Sequence, residues 1–428
     1  MKIFQINDQS NRLEKIISRS NLPTENVEKI VKEIINDVKE NGDLAVSSYT
    51  KKFDGVEISN FEVTEDEFQE AFKETDPEII EALLIAKENI ERFHSKQKAT
   101  GYKIEDTNQY LEQVVRPIQT VGLYIPGGKA AYPSTVLMSA IPAVIAGVKE
   151  IVMITPPNKE GKINPSLLVA AKISGVTQVL KVGGAQGVAA LAYGTEQIKN
   201  VDKIVGPGNM YVATAKRLVS GEVGIDMIAG PTEVVVIADE TANPRYIAAD
   251  LMAQAEHDEM ASSIVLTNSA DLANEIQNEI NQLITIQSRK EIIEKAFDQY
   301  GAIILTNSLD EAITIVNKMA PEHVEIMTEN PFENAGKITN AGAIFLGQYT
   351  PESVGDYYAG TNHTLPTSGT ARFSSSLSVT DFQKKTSIVY FNKQALMEAK
   401  ETIELLANEE GLAAHALSVS IRFEEEKQ

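Results

Sequence analysis

Five histidines, sixty acidic residues and no cysteine define the chemistry open to this 428-residue chain. Without thiols there is no disulfide, no thiolate nucleophile and no cysteine-ligated zinc, and a thiohemiacetal route for oxidising an aldehyde is closed. Imidazoles, carboxylates and amides remain. Four of the histidines have an acid or amide close by in sequence: Gln254 with His257, Glu322 with His323, Asp356 with His363, and Glu410 with His415. The fifth, His94, sits in ERFHSKQK among long polar side chains and reads as a surface residue.

Gln254 and His257 stand three apart in a segment that reads as helix, so both side chains leave one face and can grip one ion; a solvated acidic face has the same pattern. Asp356 lies in GDYYAGTNH, where Gly355 and Gly360 let the backbone wrap a ligand or form a simple Asx-turn. Glu322 and His323 follow Pro321 and immediately precede a strand, where open α/β sheets can place catalytic groups. Two proton-transfer groups of different pKa suit a reaction with two distinct steps. An ion pair between Glu322 and a lysine is the plain alternative. His415 follows Glu410 by five residues, past a helix stop at Gly411, and that segment alone assigns no function.

The G-x-G-x-x-G dinucleotide fingerprint is missing. Glycine-rich turns nevertheless follow three successive strands: YIPGGKA (124–130), VGGAQG (182–187) and VGPGN (205–209). At strand carboxyl ends such turns offer backbone N–H groups to phosphates and form the rim of a nucleotide crevice.

These residues need a scaffold, and the chain's patterning supplies one. Residues 1–117 read as a mainly helical segment, with apolar residues three and four apart over 27–40 and 77–97, expected to pack with the second of two α/β domains. From Val121 nine short β-branched runs alternate with helical stretches: 121–125, 151–155, 179–182, 203–206, 234–239, 263–267, 302–306, 324–328 and 343–347. This is the pattern of an α/β fold with mostly parallel sheets. A glycine-rich passage at 220–231 divides the series after four runs, giving two related doubly wound domains, 118–233 and 234–376. The first carries the glycine-rich turns and the second the candidate metal and catalytic residues. Residues 377–428 form a tail with a helix from Lys393 to about Leu406.

A formal charge of −21, from 39 basic against 60 acidic residues, repels a nucleic-acid backbone. The N-terminus lacks the apolar core of a signal peptide. The longest apolar stretch, 132–148, is interrupted by Pro133, Ser134, Thr135, Ser139 and Pro142, and reads as a buried helix rather than a membrane span. A soluble cytoplasmic protein without nucleic-acid or membrane partners is expected.

Five segments, IDMIAGPTEVVVIAD (225–239), QAEHDE (254–259), APEHVEI (320–326), VGDYYAGTNHTLPTSG (354–369) and EGLAAH (410–415), make the chain resemble the histidinol dehydrogenase family over nearly its whole length. The resemblance implies an NAD-dependent oxidation of L-histidinol, through the aldehyde, to L-histidine. It also implies a homodimer with shared active sites, each holding one zinc. By the same resemblance Zn2+ is ligated by Gln254, His257, Asp356 and His415 of the partner subunit, so that the tail 377–428 serves the other subunit's site. Substrate groups complete the metal's shell. Glu322 and His323 match the family's catalytic pair, and Thr232, His363 and Glu410 match positions around the substrate. Tyr124, Gln186 and Asn209, one in each glycine-rich turn, match the NAD crevice of 118–233. Many members have Ser where this chain has Thr232, which keeps the hydroxyl and adds a methyl. Relatives of the family oxidise other alcohols such as sulfonated diols, whereas His323, His363 and Glu410 together suit an imidazole substrate.

Overall fold

The computed structural model describes residues 1–5, 14, 16, 25–127 and 131–424. It forms two compact units, one made of residues 1–97 and 118–382, the other of 98–117 and 383–428. In the first unit, β1 (Lys2–Gln5) belongs to a six-stranded sheet described below, while the second unit carries β2 (Tyr102–Glu105) and β3 (Gln109–Pro117). β4 (Thr120–Tyr124), β5 (Glu150–Ile154), β6 (Gln178–Leu180), β7 (Lys203–Val205) and β8 (Gly224–Ile225) make an all-parallel sheet in the order β6-β5-β4-β7-β8. β4 and most of β5 are buried, as expected where helices cover both faces. The order reverses between β4 and β7, opening a crevice at the carboxyl ends of these two strands.

A second parallel sheet joins β1 to β9 (Glu233–Ala238), β10 (Ser262–Thr267), β11 (Ala302–Leu305), β12 (His323–Met327) and β13 (Ala343–Leu346), in the order β1-β11-β10-β9-β12-β13. Its reversal lies between β9 and β12, paired in register from His323 with Val234 to Met327 with Ala238. All nine expected strands are present. The short β1 and β8 carry too few residues to show a period.

The N-terminal helices correct one expectation. Helix Glu25–Asp54 buries Val27, Val31, Ile34, Val38 and Val46 in one core with Ile154, Leu180, Val188 and Val212 of the first sheet and its helices. Ala71, Leu83 and Ile90, from helices Glu65–Glu74 and Pro77–His94, join Val121, Leu123 and Met153 on that sheet's other side. These helices therefore cover the first sheet, not the second; among the described residues of this segment it is β1, paired with β11, and Ile16 that reach the second sheet's core. A 3.6-residue period reveals an apolar face but not which sheet will take it. His94 is a second correction. It follows Ile90 by one helical turn, is fully buried, and its Nδ1 lies 2.6 Å from Gln97 Oε1.

In the second unit, β14 (Gln383–Phe391) pairs antiparallel with β3 along its whole length, and β2 pairs with β3. Residues 102–117 were expected to continue the helical segment, and 377–392 to hold no strand. β14 finds its partner far away in sequence, so no local pattern announces it, whereas β2 and β3 also form a local hairpin. Helix Lys393–Glu409, capped by the Asn392 side chain accepting from Ala395 N–H, runs slightly past its expected end, and helix Ala413–Ser420 follows.

A buried ion pair shapes the turn after β7. Lys216 Nζ contacts Asp226 and donates to Gly206 O at 2.7 Å, while Asp226 accepts Gly206 N–H at 2.7 Å and Met227 N–H at 2.6 Å. Gly206 has φ +114°, and a side chain there would strike the Tyr124 carbonyl. Lys216→Met leaves the Asp226 carboxylate buried without its cation, an expected loss of about 3–5 kcal/mol, read as a lower midpoint in urea unfolding. Among the described residues no helix is long and apolar enough to cross a membrane.

Candidate active site and metal centre

The site lies at the amino-terminal edge of the second sheet, where β9 and β12 begin. Helix Leu309–Met319 ends in Ala320, whose φ of +49° is left-handed, at a cost of about 1 kcal/mol for a residue with a Cβ. That turn delivers Pro321, Glu322 and His323 into β12. Expecting the pair beside a strand was correct. The rule that favours carboxyl edges in open sheets does not describe this end, because the groups stand where the strands start.

Glu322 is buried, its Oε2 accepting the Thr232 hydroxyl at 2.6 Å and Glu233 N–H at 3.0 Å. Burial pushes its pKa up to about 8; the charges of Glu233 and Asp356 add to the rise, and the Thr232 hydrogen bond opposes it. His323 is buried too, and its Nδ1–H donates to Glu233 O at 3.1 Å. That bond fixes the tautomer, leaving the lone pair on Nε2, an atom with no hydrogen-bond partner. Burial drives the ring's pKa down to about 3, so it stays neutral at physiological pH. A neutral imidazole with an open lone pair is a proton acceptor or a metal ligand.

Helix Glu352–Tyr357 brings Asp356 and a residue that the sequence reading missed, Glu352. One ligand atom each from His323, Glu352 and Asp356 lie within 4.8 Å of one another. Glu352 Oε1 is 3.6 Å from His323 Nε2, and the Glu352 N–H donates to the Glu325 carboxylate at 2.9 Å. The four-residue interval from Glu352 to Asp356 places both on one helical face, a signal that was available in PESVGD. Burial pushes Asp356 up to about 6 and Glu352 well above the carboxylate range.

Gln254 is buried in the last turn of helix Pro244–Ala255. Its carboxamide matches its neighbours with the nitrogen toward Glu352, 2.7 Å from Oε1, and the oxygen accepting Glu233 N–H at 3.2 Å. His257 does not share that helix face as expected: the helix stops at Ala255, and His257 stands on the bend beyond it, its N–H held by Gln254 O at 3.4 Å. It is nonetheless close enough that its charge acts on both the His323 and His363 rings.

His363 ties this site to the first sheet. Its Nε2 is 3.0 Å from Thr135 Oγ1, in the first turn of the helix that follows β4, and its Nδ1 is 3.8 Å from Asp356 Oδ1. Burial lowers its pKa to about 4, with His257 adding to the fall. The loop leading to it passes close over helix Pro77–His94 at Gly360, where φ is +88° and a side chain would meet the Asn89 carbonyl.

At the crevice of the first sheet, Tyr124 ends β4 and its hydroxyl oxygen accepts Gly184 N–H at 3.2 Å. Gln186 is buried with neither end of its carboxamide hydrogen-bonded. Asn209 caps helix Met210–Val219, accepting from Tyr211 N–H at 3.0 Å and Val212 N–H at 3.2 Å. Residues 128–130 of the first glycine-rich turn lie outside the described residues. Glu410 and His415 belong to the second unit, Glu410 at the end of helix Lys393–Glu409 and His415 exposed on helix Ala413–Ser420.

A model of the histidinol dehydrogenase family matches residues 17–423. The histidinol dehydrogenase of Clostridium acetobutylicum is 56% identical over 396 residues, 92% of this chain and 92% of its own. That of Halalkalibacterium halodurans is 51% identical over 428 residues, the whole of both chains. The crystal structure of histidinol dehydrogenase from Elizabethkingia anophelis superimposes with a TM-score of 0.93 at 40% identity, covering 100% of this chain and 99% of that one.

Proposed function

The chain belongs to the histidinol dehydrogenase family, and we propose on that premise that it oxidises L-histidinol through the aldehyde to L-histidine, with two NAD and one water consumed, as the closing steps of histidine biosynthesis. The observation that carries the reading is the neutral His323, its Nε2 lone pair open beside the buried carboxyls of Glu322, Glu352 and Asp356.

A divalent cation fits this pocket. Buried carboxyls raised far above their usual range, set among uncharged imidazoles, form an oxygen and nitrogen donor set short of positive charge, as zinc prefers. In this reading Gln254, His257 and Asp356 hold Zn2+ together with His415 of the partner subunit, in a homodimer that shares its sites. Glu352 then orients the Gln254 carboxamide. NAD fits the crevice at the first sheet's reversal, where Tyr124 and Asn209 flank the switch point and Gln186 offers an unsatisfied amide. Residues 118–233 thus serve NAD and 234–376 the metal and the proton transfers. Residues 1–117 are scaffold, and the tail 377–428 serves the partner's site. The cytoplasm is the proposed place of work.

When bound, NAD takes a hydride in each oxidation, and zinc anchors the substrate's imidazole and amine away from the reacting carbon. His323 Nε2 accepts the hydroxyl proton in the first step. In the second, Glu322 and His323 together activate a water that adds to the aldehyde. In this reading Thr232 and His363, with Glu410 of the partner subunit, lie against the substrate, whose imidazole suits histidines and an acid.

Mixing the purified protein with L-histidinol and NAD tests the reading by absorbance. Two NADH per histidinol consumed, with about one zinc per subunit, is the expected result. A single NADH per histidinol, or faster turnover of a sulfonated diol, overturns it.

A further inference from the structure

β12 is apolar except at two positions, His323 and Glu325. They stand two apart on a strand, so their side chains leave the same face of the sheet. Glu325 is only 1% exposed, lies between Val236 of β9 and Phe345 of β13, and has no part in the steps above. A strand buried on both faces normally carries an apolar residue there, and an acid is costly unless its oxygens are matched.

Its partners belong to two other elements of the site. Oε1 accepts the Glu352 N–H at 2.9 Å. Glu352 opens the six-residue helix that ends with Asp356 and Tyr357, and the residue before it, Pro351, has no side-chain group to cap that helix. The first N–H groups of a helix have no partner inside it, so Glu325 supplies from β12 the acceptor that the helix lacks. Its Oε2 is buried with no donor group to accept from. What the Glu325 side chain meets instead is the carboxyl of Asp250, with which it hydrogen-bonds. Two carboxyls bond only when one keeps a proton, and burial raises both, Asp250 to about 6 and Glu325 well above the usual range.

Asp250 stands on helix Pro244–Ala255 one turn before Gln254, just as Glu352 stands one turn before Asp356. Glu325 itself follows His323 by two residues. One side chain thus joins the three elements that carry Gln254, His323 and Asp356, and each joint lies within a turn of the group carried. We infer that Glu325 and Asp250, hydrogen-bonded to each other, form a positioning pair: they tie helix Glu352–Tyr357 and helix Pro244–Ala255 to the start of β12, and so hold Gln254, His323 and Asp356 in place for the metal and the reaction. The inference rests on the zinc reading above and names the residues behind the site that set its geometry.

Zinc affinity by competition with a chromogenic chelator, kinetics at saturating zinc and thermal unfolding test it, on the wild type, Glu325→Gln, Glu325→Leu and Asp250→Ala. A carboxamide can accept the Glu352 N–H with its oxygen and donate to Asp250 with its nitrogen, so Glu325→Gln should keep zinc affinity and kcat within about threefold of wild type. Glu325→Leu fills the same space and makes neither bond. Its zinc affinity should fall about 10–100-fold, as when a partner behind a metal ligand is lost, and its kcat about tenfold or more, with KM moving less. Asp250→Ala, at a half-buried helical position that alanine suits, should fold like the wild type and weaken zinc about threefold or more through the lost bond. Wild-type zinc affinity in Glu325→Leu overturns the assignment; should that variant not fold, wild-type affinity in Asp250→Ala overturns it. A loss in Glu325→Gln as large as in Glu325→Leu does so too, because the two hydrogen bonds would then not be what matters. A wild-type protein that binds no zinc overturns the zinc reading itself, a distinguishable outcome.

Discussion

His323→Asn is expected to lower kcat by about 10²–10⁴-fold while leaving KM for L-histidinol nearly unchanged, because the substitution removes a proton acceptor and little else. The ring's Nδ1–H is committed to Glu233 O at 3.1 Å, and its Nε2 is the open atom at the site. An asparagine amide can still donate to that carbonyl, so the start of β12 should stay in place, but it has no basic lone pair. With a ring pKa near 3, His323 is neutral at any pH where the protein is assayed, and no activity limb near pH 6 should belong to it. Glu322→Gln is the contrast. The residual Thr232 contact keeps the side chain positioned, and water activation is needed only for the aldehyde. Oxidation of histidinaldehyde should therefore fall more than oxidation of histidinol. Stopped-flow single turnovers starting from each compound separate the two, and equal losses would assign Glu322 to positioning His323 alone.

The order of strands and the chemistry of the site were legible to different depths. β-branched runs such as VVVIA in β9 and IVMI in β5 announce strands buried on both faces, and the nine runs found this way are all present. β14 was not legible, since it becomes a strand by pairing with β3, far away in sequence, and the local hairpin of β2 and β3 lacks the buried run that marks the other strands, β2 being exposed throughout. At the site, acid and histidine pairs close in sequence pointed to Glu322, His323, Asp356 and His363, which the fold brings together. Glu352 was overlooked because no histidine or glycine marks it, although it stands one helical turn before Asp356. Gln254 and His257 were placed on one helix; the helix ends between them, which leaves His257 on a bend. His94 shows the limit of reading composition by neighbours: polar residues surround it in sequence, yet helical geometry turns it inward one turn after Ile90.

On the proposed zinc reading, chelating the metal should make the protein's stability depend on pH in a window where the zinc-loaded form is nearly flat. The sign follows from the directions of the shifts. Glu322 has a folded pKa of about 8 against an ordinary 4.5, so the folded state holds its proton more tightly than the unfolded chain. That contribution is fully present below pH 4.5 and is lost as pH rises toward 8. Glu352, raised by burial and by the charges of Asp356 and Glu322, acts in the same sense. His323 and His363, lowered to about 3 and about 4, act oppositely, losing stability as pH falls below 6.5, and are silent above it. Between pH 6.5 and 8 only the acids titrate, so the metal-free protein should lose about 2 kcal/mol from Glu322 alone, taking 1.36 kcal/mol per pKa unit. A divalent cation in contact with these carboxyls stabilises their ionised forms and cancels the loss. Thermal unfolding with and without chelator, at pH 6.5 and pH 8, should therefore show a zinc increment in melting temperature that is larger at pH 8. An increment equal at the two pH values would place the ion outside the field of Glu322 and Glu352, and the donor set would have to be sought elsewhere in the molecule.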